Sequence, residues 1–165
     1  MKKYLFIAVL AMASVMAYAQ PRAIGANLGS GLGFSYQHGF GEANMLDVSA
    51  NIPVLGGWGI NGKVTYDWID PFGATVPWNE KGEWHWYMGV GGAIATYGWG
   101  FNNGFIGAAG RIGIEYDFWF PLQLSIDFRP TLGCLLAGNG NGGVAAGFGW
   151  DVYAGGLGLG IRYKF

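Results

Sequence analysis

The sequence predicts an all-β fold, namely an antiparallel, up-and-down transmembrane β-barrel of eight strands. Apolar and polar residues alternate with a period of two along most of the chain, which is typical of β-strands. The polar faces consist largely of small residues, and glycine occurs 32 times in 165 residues. Tryptophans lie near the ends of the alternating segments, as in the aromatic girdles of membrane barrels. They are Trp58, Trp68, Trp84, Trp86, Trp99, Trp119 and Trp150.

The N-terminus has the pattern of a secretory signal peptide. Lys2 and Lys3 precede an apolar stretch that ends in the small-residue site Ala17-Tyr18-Ala19. We expect residues 1–19 to be cleaved on export, so that the β-barrel occupies residues 20–165. An uncleaved membrane anchor is the alternative, but the apolar stretch is shorter than a membrane span.

The composition favours a membrane barrel over a soluble β-sandwich. Charged residues make up 12% of the chain and hydrophobic residues 52%, whereas charged residues are about 25% of a typical soluble domain. A sandwich buries its apolar face and places long polar side chains in water. Here the polar faces carry mainly glycine, alanine, serine and asparagine, which fit the narrow interior of an eight-stranded barrel.

The first four predicted strands span 23–38, 44–53, 58–68 and 83–97. In each segment the residues at every second position are apolar, and those between them are small or polar. One face of each strand is therefore expected to meet lipid and the other to face the lumen. The apolar residues are, in order, Ile24, Ala26, Leu28, Leu32, Phe34, Tyr36, Leu46, Val48, Ala50, Ile52, Trp58, Ile60, Val64, Tyr66, Trp68, Trp84, Trp86, Met88, Val90 and Ile94.

The last four predicted strands span 104–118, 121–131, 143–152 and 156–165. The alternation is clearest in 121–131 and 156–165, where every second residue is large and apolar. These two sets are Leu122, Leu124, Ile126 and Phe128, and Leu157, Leu159, Ile161, Tyr163 and Phe165.

A second register fits the periodicity equally well. It splits the first segment at Gly29-Ser30-Gly31 into a hairpin, makes 133–150 a loop and places a periplasmic turn at Phe118–Pro121. Both registers give eight strands. In the preferred register the longest clear connection is 69–82, which we expect to face outside, whereas the sidedness of several loops depends on which register is correct. Its aromatic residues Phe72 and Trp78 make it a candidate interaction loop for an extracellular partner whose identity the sequence does not indicate.

Charged residues on the inward parity predict a salt-bridge network that fills the lumen. A charge enclosed in a narrow barrel needs a partner, because an unpaired buried charge is very costly. A narrow pore for small solutes or ions is the alternative. The inward charges are Asp47, Lys63, Asp67, Arg111, Glu115, Asp117, Asp127, Arg129, Arg162 and Lys164.

The remaining motifs do not indicate catalysis. The glycine runs at 29–33 and 156–160 keep a strict period of two with no following helix, so they are not phosphate loops. Ser35 and His38 lie three apart and point to opposite faces of a strand, a poor geometry for a dyad. We therefore expect no enzyme, with a lipid-modifying enzyme as the alternative. The lone Cys134 and two histidines predict no metal or cofactor, and the acidic excess after cleavage argues against nucleic-acid binding.

The C-terminal residues carry a resemblance to a known family. The chain ends in Gly160-x-x-Tyr163-x-Phe165, which resembles the signal recognised by the barrel-assembly machinery of Gram-negative bacteria; that signal favours a polar residue where this chain has Gly158. With the signal peptide and the length, the mature chain resembles small outer-membrane barrels of the OmpA/OmpX type. The resemblance implies insertion among outer-membrane lipids with the C-terminus at the periplasmic side, and it carries no specific ligand.

Overall fold

The chain forms ten β-strands in a computed structural model that describes residues 20–29, 31–53, 59–71, 81–98, 103–138, 144–151 and 156–165. In this part of the chain no helix has the length and apolar content of a membrane span. The strands are β1 (Gln20–Leu28), β2 (Gly31–Gly39), β3 (Asn44–Pro53), β4 (Gly59–Ile69), β5 (Glu83–Tyr97), β6 (Asn103–Asp117), β7 (Gln123–Arg129), β8 (Thr131–Gly138), β9 (Val144–Trp150) and β10 (Gly156–Lys164).

Antiparallel pairing closes these strands into a barrel with eight strand positions. The first six strands pair in chain order, β6 pairs with both β7 and β8, and β10 closes the barrel on β1. β7 and β8 are consecutive parts of one long strand that is interrupted at Pro130. β9 and β10 form the opposing long strand, because β9 pairs with β8 and β10 pairs with β7. The predicted all-β, antiparallel barrel is therefore confirmed.

The two ends of the barrel differ in the connections that they carry. The end that we call the terminal end holds the start of β1 and the C-terminal residue, since the amide of Phe165 donates to the carbonyl of Arg22 at 3.0 Å. It also holds the turns 40–43 and 118–122. The opposite, distal end holds the turn after Leu28, where the amide of Gly29 donates to the carbonyl of Gly31 at 3.0 Å.

The connection 69–82 begins and ends at the terminal end. The amide of Ile69 donates to the carbonyl of Ala43, and the amide of Asp70 donates to the carbonyl of Trp86. Glu83, at the start of β5, lies opposite Asp117 at the end of β6. The expectation that this connection faces outside while the C-terminus is periplasmic was wrong, because the two flanks of the connection lie at the same end of the barrel as Phe165.

The structure combines features of the two predicted registers. The preferred strand 23–38 was wrong, because the chain turns between β1 and β2 as in the second register. The second register was wrong about 133–150. Within this range β8 and β9 pair with each other, and β8 also pairs with residues 103–109 of β6. The preferred register still gave eight strands because its two errors cancel. It joined β1 and β2 into one strand, and it treated β9 and β10 as two positions of the barrel although they occupy one.

Burial alternates along the strands and places the polar side chains inside. In β7 every second residue is buried, from Gln123 to Arg129, and the apolar residues between them are exposed. Ile126 is 54% exposed and its neighbour Asp127 is 1% exposed. Apolar side chains are exposed on other strands as well: Ile52 on β3 is 54% exposed and Ile94 on β5 is 61% exposed.

Candidate functional site in the barrel lumen

Arg111, which β6 directs into the lumen, joins carboxylates from three other strands. Its Nη1 atom lies 2.6 Å from Asp67 Oδ2 and 3.0 Å from Asp47 Oδ2, and its Nη2 atom lies 3.0 Å from Asp127 Oδ2. The guanidinium and all three carboxylates are almost completely buried. One cation therefore holds β3, β4 and β7 to β6 across the interior.

Asp127 is shared between Arg111 and two further groups. The Tyr87 hydroxyl donates to Asp127 Oδ2 at 2.9 Å and accepts from Arg111 Nη2 at 3.1 Å. The Arg111 guanidinium also lies 4.4 Å from the centre of the Tyr87 ring, a cation–π distance. Arg129 pairs with Asp127 through both of its oxygens and reaches Asn27 Oδ1 at 3.3 Å.

Arg162, on β10, connects the group around Arg111 to β2 and β7. Its Nε atom donates to Ser35 Oγ at 2.9 Å, and its Nη1 atom donates to Ser125 Oγ at 2.7 Å. Its Nη2 atom lies 3.6 Å from Asp47 Oδ2, and Ser35 Oγ donates to the same carboxylate at 3.2 Å. Three arginines and three aspartates thus form one central cluster: Arg111, Arg129, Arg162, Asp47, Asp67 and Asp127.

A second cluster lies near the terminal end. Arg22 pairs with Glu115, and its Nη2 atom lies 3.8 Å from Asp117 Oδ2. Lys164 Nζ lies 2.7 Å from the same Asp117 oxygen, and it is the most exposed of the predicted lumen charges, at 34%. Arg22 also donates to Gln37 Oε1 at 3.0 Å. Two cations and two carboxylates balance within this terminal cluster.

Lys63 differs from the other predicted lumen charges. Its side chain is 6% exposed, yet within the described residues it has no ion pair with a carboxylate. It lines a small polar cavity towards the distal end together with Asn27, Asn51 and Arg129. The structure therefore places it inside the lumen but apart from both clusters.

Two participants were missed by the sequence analysis. Arg22 has the outward parity of Ile24, but the register of β1 against β2 shifts between Pro21 and Ala23. This bulge turns Arg22 inward, and period-two counting cannot detect it. Tyr87 occupies an inward-facing position but carries no formal charge, so it is not among the charged residues that the pattern identifies.

Glycines on the inward face keep space for the clusters. A Cβ atom at Gly89 would lie 1.9 Å from Asp67 Oδ1, and one at Gly113 would lie 2.6 Å from the Asp127 Cβ atom. One at Gly160 would lie 2.4 Å from Ser125 Oγ. Close approach of the buried ionic groups therefore explains part of the high glycine content.

The remaining predicted residues lie outside the clusters. Ser35 and His38 are both buried, but Ser35 bonds Asp47 and Arg162 whereas His38 Nδ1 lies 2.8 Å from the Tyr36 hydroxyl. Tyr163 and Phe165 of the predicted assembly signal are exposed, and Gly160 faces the lumen beside Ser125. The candidate interaction residues Phe72 and Trp78 and the predicted signal peptide, residues 1–19, lie outside the described residues.

Apart from Lys63, the predicted lumen charges form ion pairs with one another or with Arg22. Across the described ranges no group of three or more histidine, cysteine, aspartate or glutamate side chains is arranged to hold a metal ion. The groups that meet in the two clusters hold strands together and fill the interior. Comparison of the chain with protein-family models, with curated proteins and with solved structures finds no match.

Proposed function

We propose that the protein is a small outer-membrane β-barrel protein with a structural or surface-interaction role and a filled lumen. The observation that carries the proposal is that the barrel has a polar interior and an apolar outer surface, the reverse of a soluble protein. Charged and polar side chains are buried inside, while leucine, isoleucine, valine and phenylalanine side chains are exposed around the outside. A soluble monomer rarely exposes apolar surface on this scale, whereas hydrocarbon requires it of a membrane barrel.

Aromatic residues near the terminal end support a membrane interface there. Tyr116 contacts Trp84 and Phe118, with ring centroids 4.8 and 4.6 Å apart, and Tyr163 contacts Phe165 at 5.3 Å. Such rings are favourable where lipid tails meet headgroups. This belt fits a barrel whose terminal end lies at the periplasmic surface of the membrane, as the resemblance to OmpA/OmpX-type barrels implies.

The paired charges support a structural role over a pore. Arg111 and its three aspartates cross the lumen, so the middle of the barrel is occupied by side chains that are held in place. Eight strands enclose only enough space for such side chains. Interaction with a partner is then a role for the exposed loops of the barrel.

Fractionation and gel migration test the proposal. The full-length chain is expressed in a Gram-negative host, and the outer and inner membranes and the soluble fraction are separated. We expect the protein in the outer membrane, with Gln20 as its N-terminal residue, and a faster-migrating band that shifts on boiling. Recovery in the soluble fraction, without detergent, would overturn the membrane assignment.

A further inference from the structure

The edge of β9 that faces away from β8 lies at the distal end of the barrel. Across the described residues β9 pairs with β8 alone, whereas each of the other strands has a neighbour on both sides. β10 follows β9 and pairs with β1, but β1 turns back after Leu28, which lies opposite Leu159. β1 therefore does not reach the level of β9, and this edge of the sheet is open among the described strands.

The backbone groups of β9 point alternately to β8 and to the open edge. The amide of Asp151, which directly follows β9, donates to the carbonyl of Thr131 at 3.3 Å. Hydrogen-bonded positions recur at every second residue of an antiparallel pair, so the odd-numbered residues of β9 bond to β8. A row of unpaired amides and carbonyls is a template for another strand. The residues that direct these groups to the open edge are Val144, Ala146, Phe148 and Trp150.

The open edge lacks the features that usually keep sheet edges apart. Such edges carry charged side chains, prolines or bulges, but Val144–Trp150 contains no charged residue and no proline, and its ladder with β8 has no register shift. On the outer face the Phe148 ring is 74% exposed. On the inner face a Cβ atom at Gly147 would meet no atom within 4 Å. Both faces of β9 therefore leave room for a neighbouring strand.

We propose that this edge pairs with the β9 edge of a second copy of the chain, in antiparallel register centred on Gly147. Two identical patches close on each other about a twofold axis, and antiparallel strands satisfy that symmetry. Centring on Gly147 pairs β9 along its whole length, and every edge-facing residue then meets another edge-facing residue. On the outer face each Phe148 ring lies beside the Ala146 methyl group of the other copy, whereas centring on Phe148 would set the two rings directly opposite each other.

The antiparallel direction fixes how the two barrels meet. It reverses the second copy, so the barrels join distal end to distal end, with the β8 and β9 strands of both copies in one continuous sheet. Copies within one membrane share an orientation, and such a contact therefore joins barrels of two facing membranes. This last step rests on the proposed outer-membrane location, whereas the strand pairing itself does not.

Disulfide cross-linking in detergent tests the pairing and its register. Gly147→Cys and the control Ala145→Cys, on the same face of β9, are each made with Cys134→Ser and oxidised mildly at less than one chain per micelle. The two residues 147 face each other at a Cα separation of about 4.5 Å, which suits a disulfide. The two residues 145 are displaced by four positions, roughly 13 Å along the strands.

We expect several-fold more covalent dimer from Gly147→Cys than from Ala145→Cys. Sedimentation of the wild-type chain in the same detergent reads out the dimer without any substitution in β9. Equal dimer yields from the two cysteine variants, or a monomeric wild type, would overturn the pairing.

Clumping of cells tests the contact between membranes. Ala146→Pro removes an amide at the open edge and none that bonds to β8, so the variant should keep the boiling-dependent gel shift. We expect cells that produce the wild-type protein to sediment together and cells that produce Ala146→Pro to stay dispersed. Dispersed wild-type cells with the protein in their outer membranes would overturn this contact. Recovery of the protein in the soluble fraction would overturn the proposed function instead, and cross-linking would still decide the pairing.

Discussion

At the scale of single residues, Arg111 determines whether the interior of the barrel is stable. It is the common partner of Asp47, Asp67 and Asp127, which come from three different strands. A buried carboxylate that loses its partner cannot recover the interaction from water. The stability of the barrel therefore depends on this one guanidinium more than on any exposed ion pair.

Replacement of Arg111 by methionine should destabilise the barrel strongly. The variant keeps the approximate length of the side chain but leaves Asp67 without an ion pair and removes one of the two cations from Asp47 and from Asp127, which we expect to cost about 3–5 kcal/mol. Urea titration of the protein in detergent micelles measures the loss. Lys164→Met is the matched control, since Lys164 is one-third exposed and Arg22 stays 3.8 Å from its partner Asp117, so we expect a smaller loss of about 1 kcal/mol. Equal stability of the two variants would contradict the central role of Arg111.

A pair of glycines on β5 tests the need for space at the central cluster. We expect Gly89→Ala to destabilise by about 1–3 kcal/mol, because its methyl group would displace the Asp67 carboxylate from Arg111. Gly92 is the control on the other face, where a Cβ atom would lie 3.8 Å from its nearest neighbour, the Gly107 carbonyl oxygen. Gly92→Ala should unfold in urea at the wild-type midpoint. A similar loss in both variants would mean that strand geometry, not the cluster, explains these glycines.

At the scale of the strands, alternation predicts the faces better than the turns. In β7 the parity of Asp127 and Arg129 follows from the sequence, because a strand turns successive side chains to opposite faces. The turn after Leu28 is less evident, since Gly29, Gly31 and Gly33 continue the period-two pattern through it.

The periodicity of the sequence does not predict which residues pair across the lumen. Which aspartates meet Arg111 depends on the tilt and closure of the barrel, and these are properties of all the strands together. The inward direction of Arg22 depends on a bulge that leaves no mark in the apolar pattern. Parity therefore predicts candidate residues for the lumen, and only the folded barrel assigns their partners.

The outward face of β7 provides a test of whether the outer surface of the barrel faces lipid. Ile126 lies at the middle of β7 and is 54% exposed. We expect Ile126→Lys to lower the stability in lipid bilayers by about 2–4 kcal/mol, the cost of a lysine near the bilayer midplane. Unfolding by guanidinium from vesicles measures it, with Glu42→Lys in the exposed turn 40–43 as the control. A neutral effect of Ile126→Lys would indicate that this face meets water.

At the scale of the whole molecule, the C-terminal aromatic residue is expected to act in assembly and not in stability. Phe165 contributes its amide to a hydrogen bond with Arg22, which any residue can form, while its ring is 64% exposed. Phe165→Gln should reduce the amount of barrel in outer membranes several-fold and leave the unfolding midpoint of refolded protein unchanged. Trp119→Gln, at an exposed aromatic of the same end, is the control. Equal membrane levels of Phe165→Gln and wild type would argue against the assembly signal.

The orientation is testable because Phe165 and the two flanks of the connection 69–82, Ile69 and Glu83, lie at one end of the barrel. Gly138 and Val144, the paired ends of β8 and β9, lie at the distal end, so we expect an epitope inserted between them to be detected on intact cells. The same epitope inserted within 72–80 should be detected only after the outer membrane is permeabilised. If intact cells expose the second epitope, the barrel has the opposite orientation and Phe72 and Trp78 lie outside.

The pairing of β1 with β10 also affects how the protein is made. The ladder from Ala23↔Lys164 to Leu28↔Leu159 joins the first strand after the predicted cleavage site to the last strand of the chain. The barrel therefore cannot close until residues 156–165 have been synthesised. We expect the apolar outer faces of the preceding strands to need shielding from self-association until β10 pairs with β1.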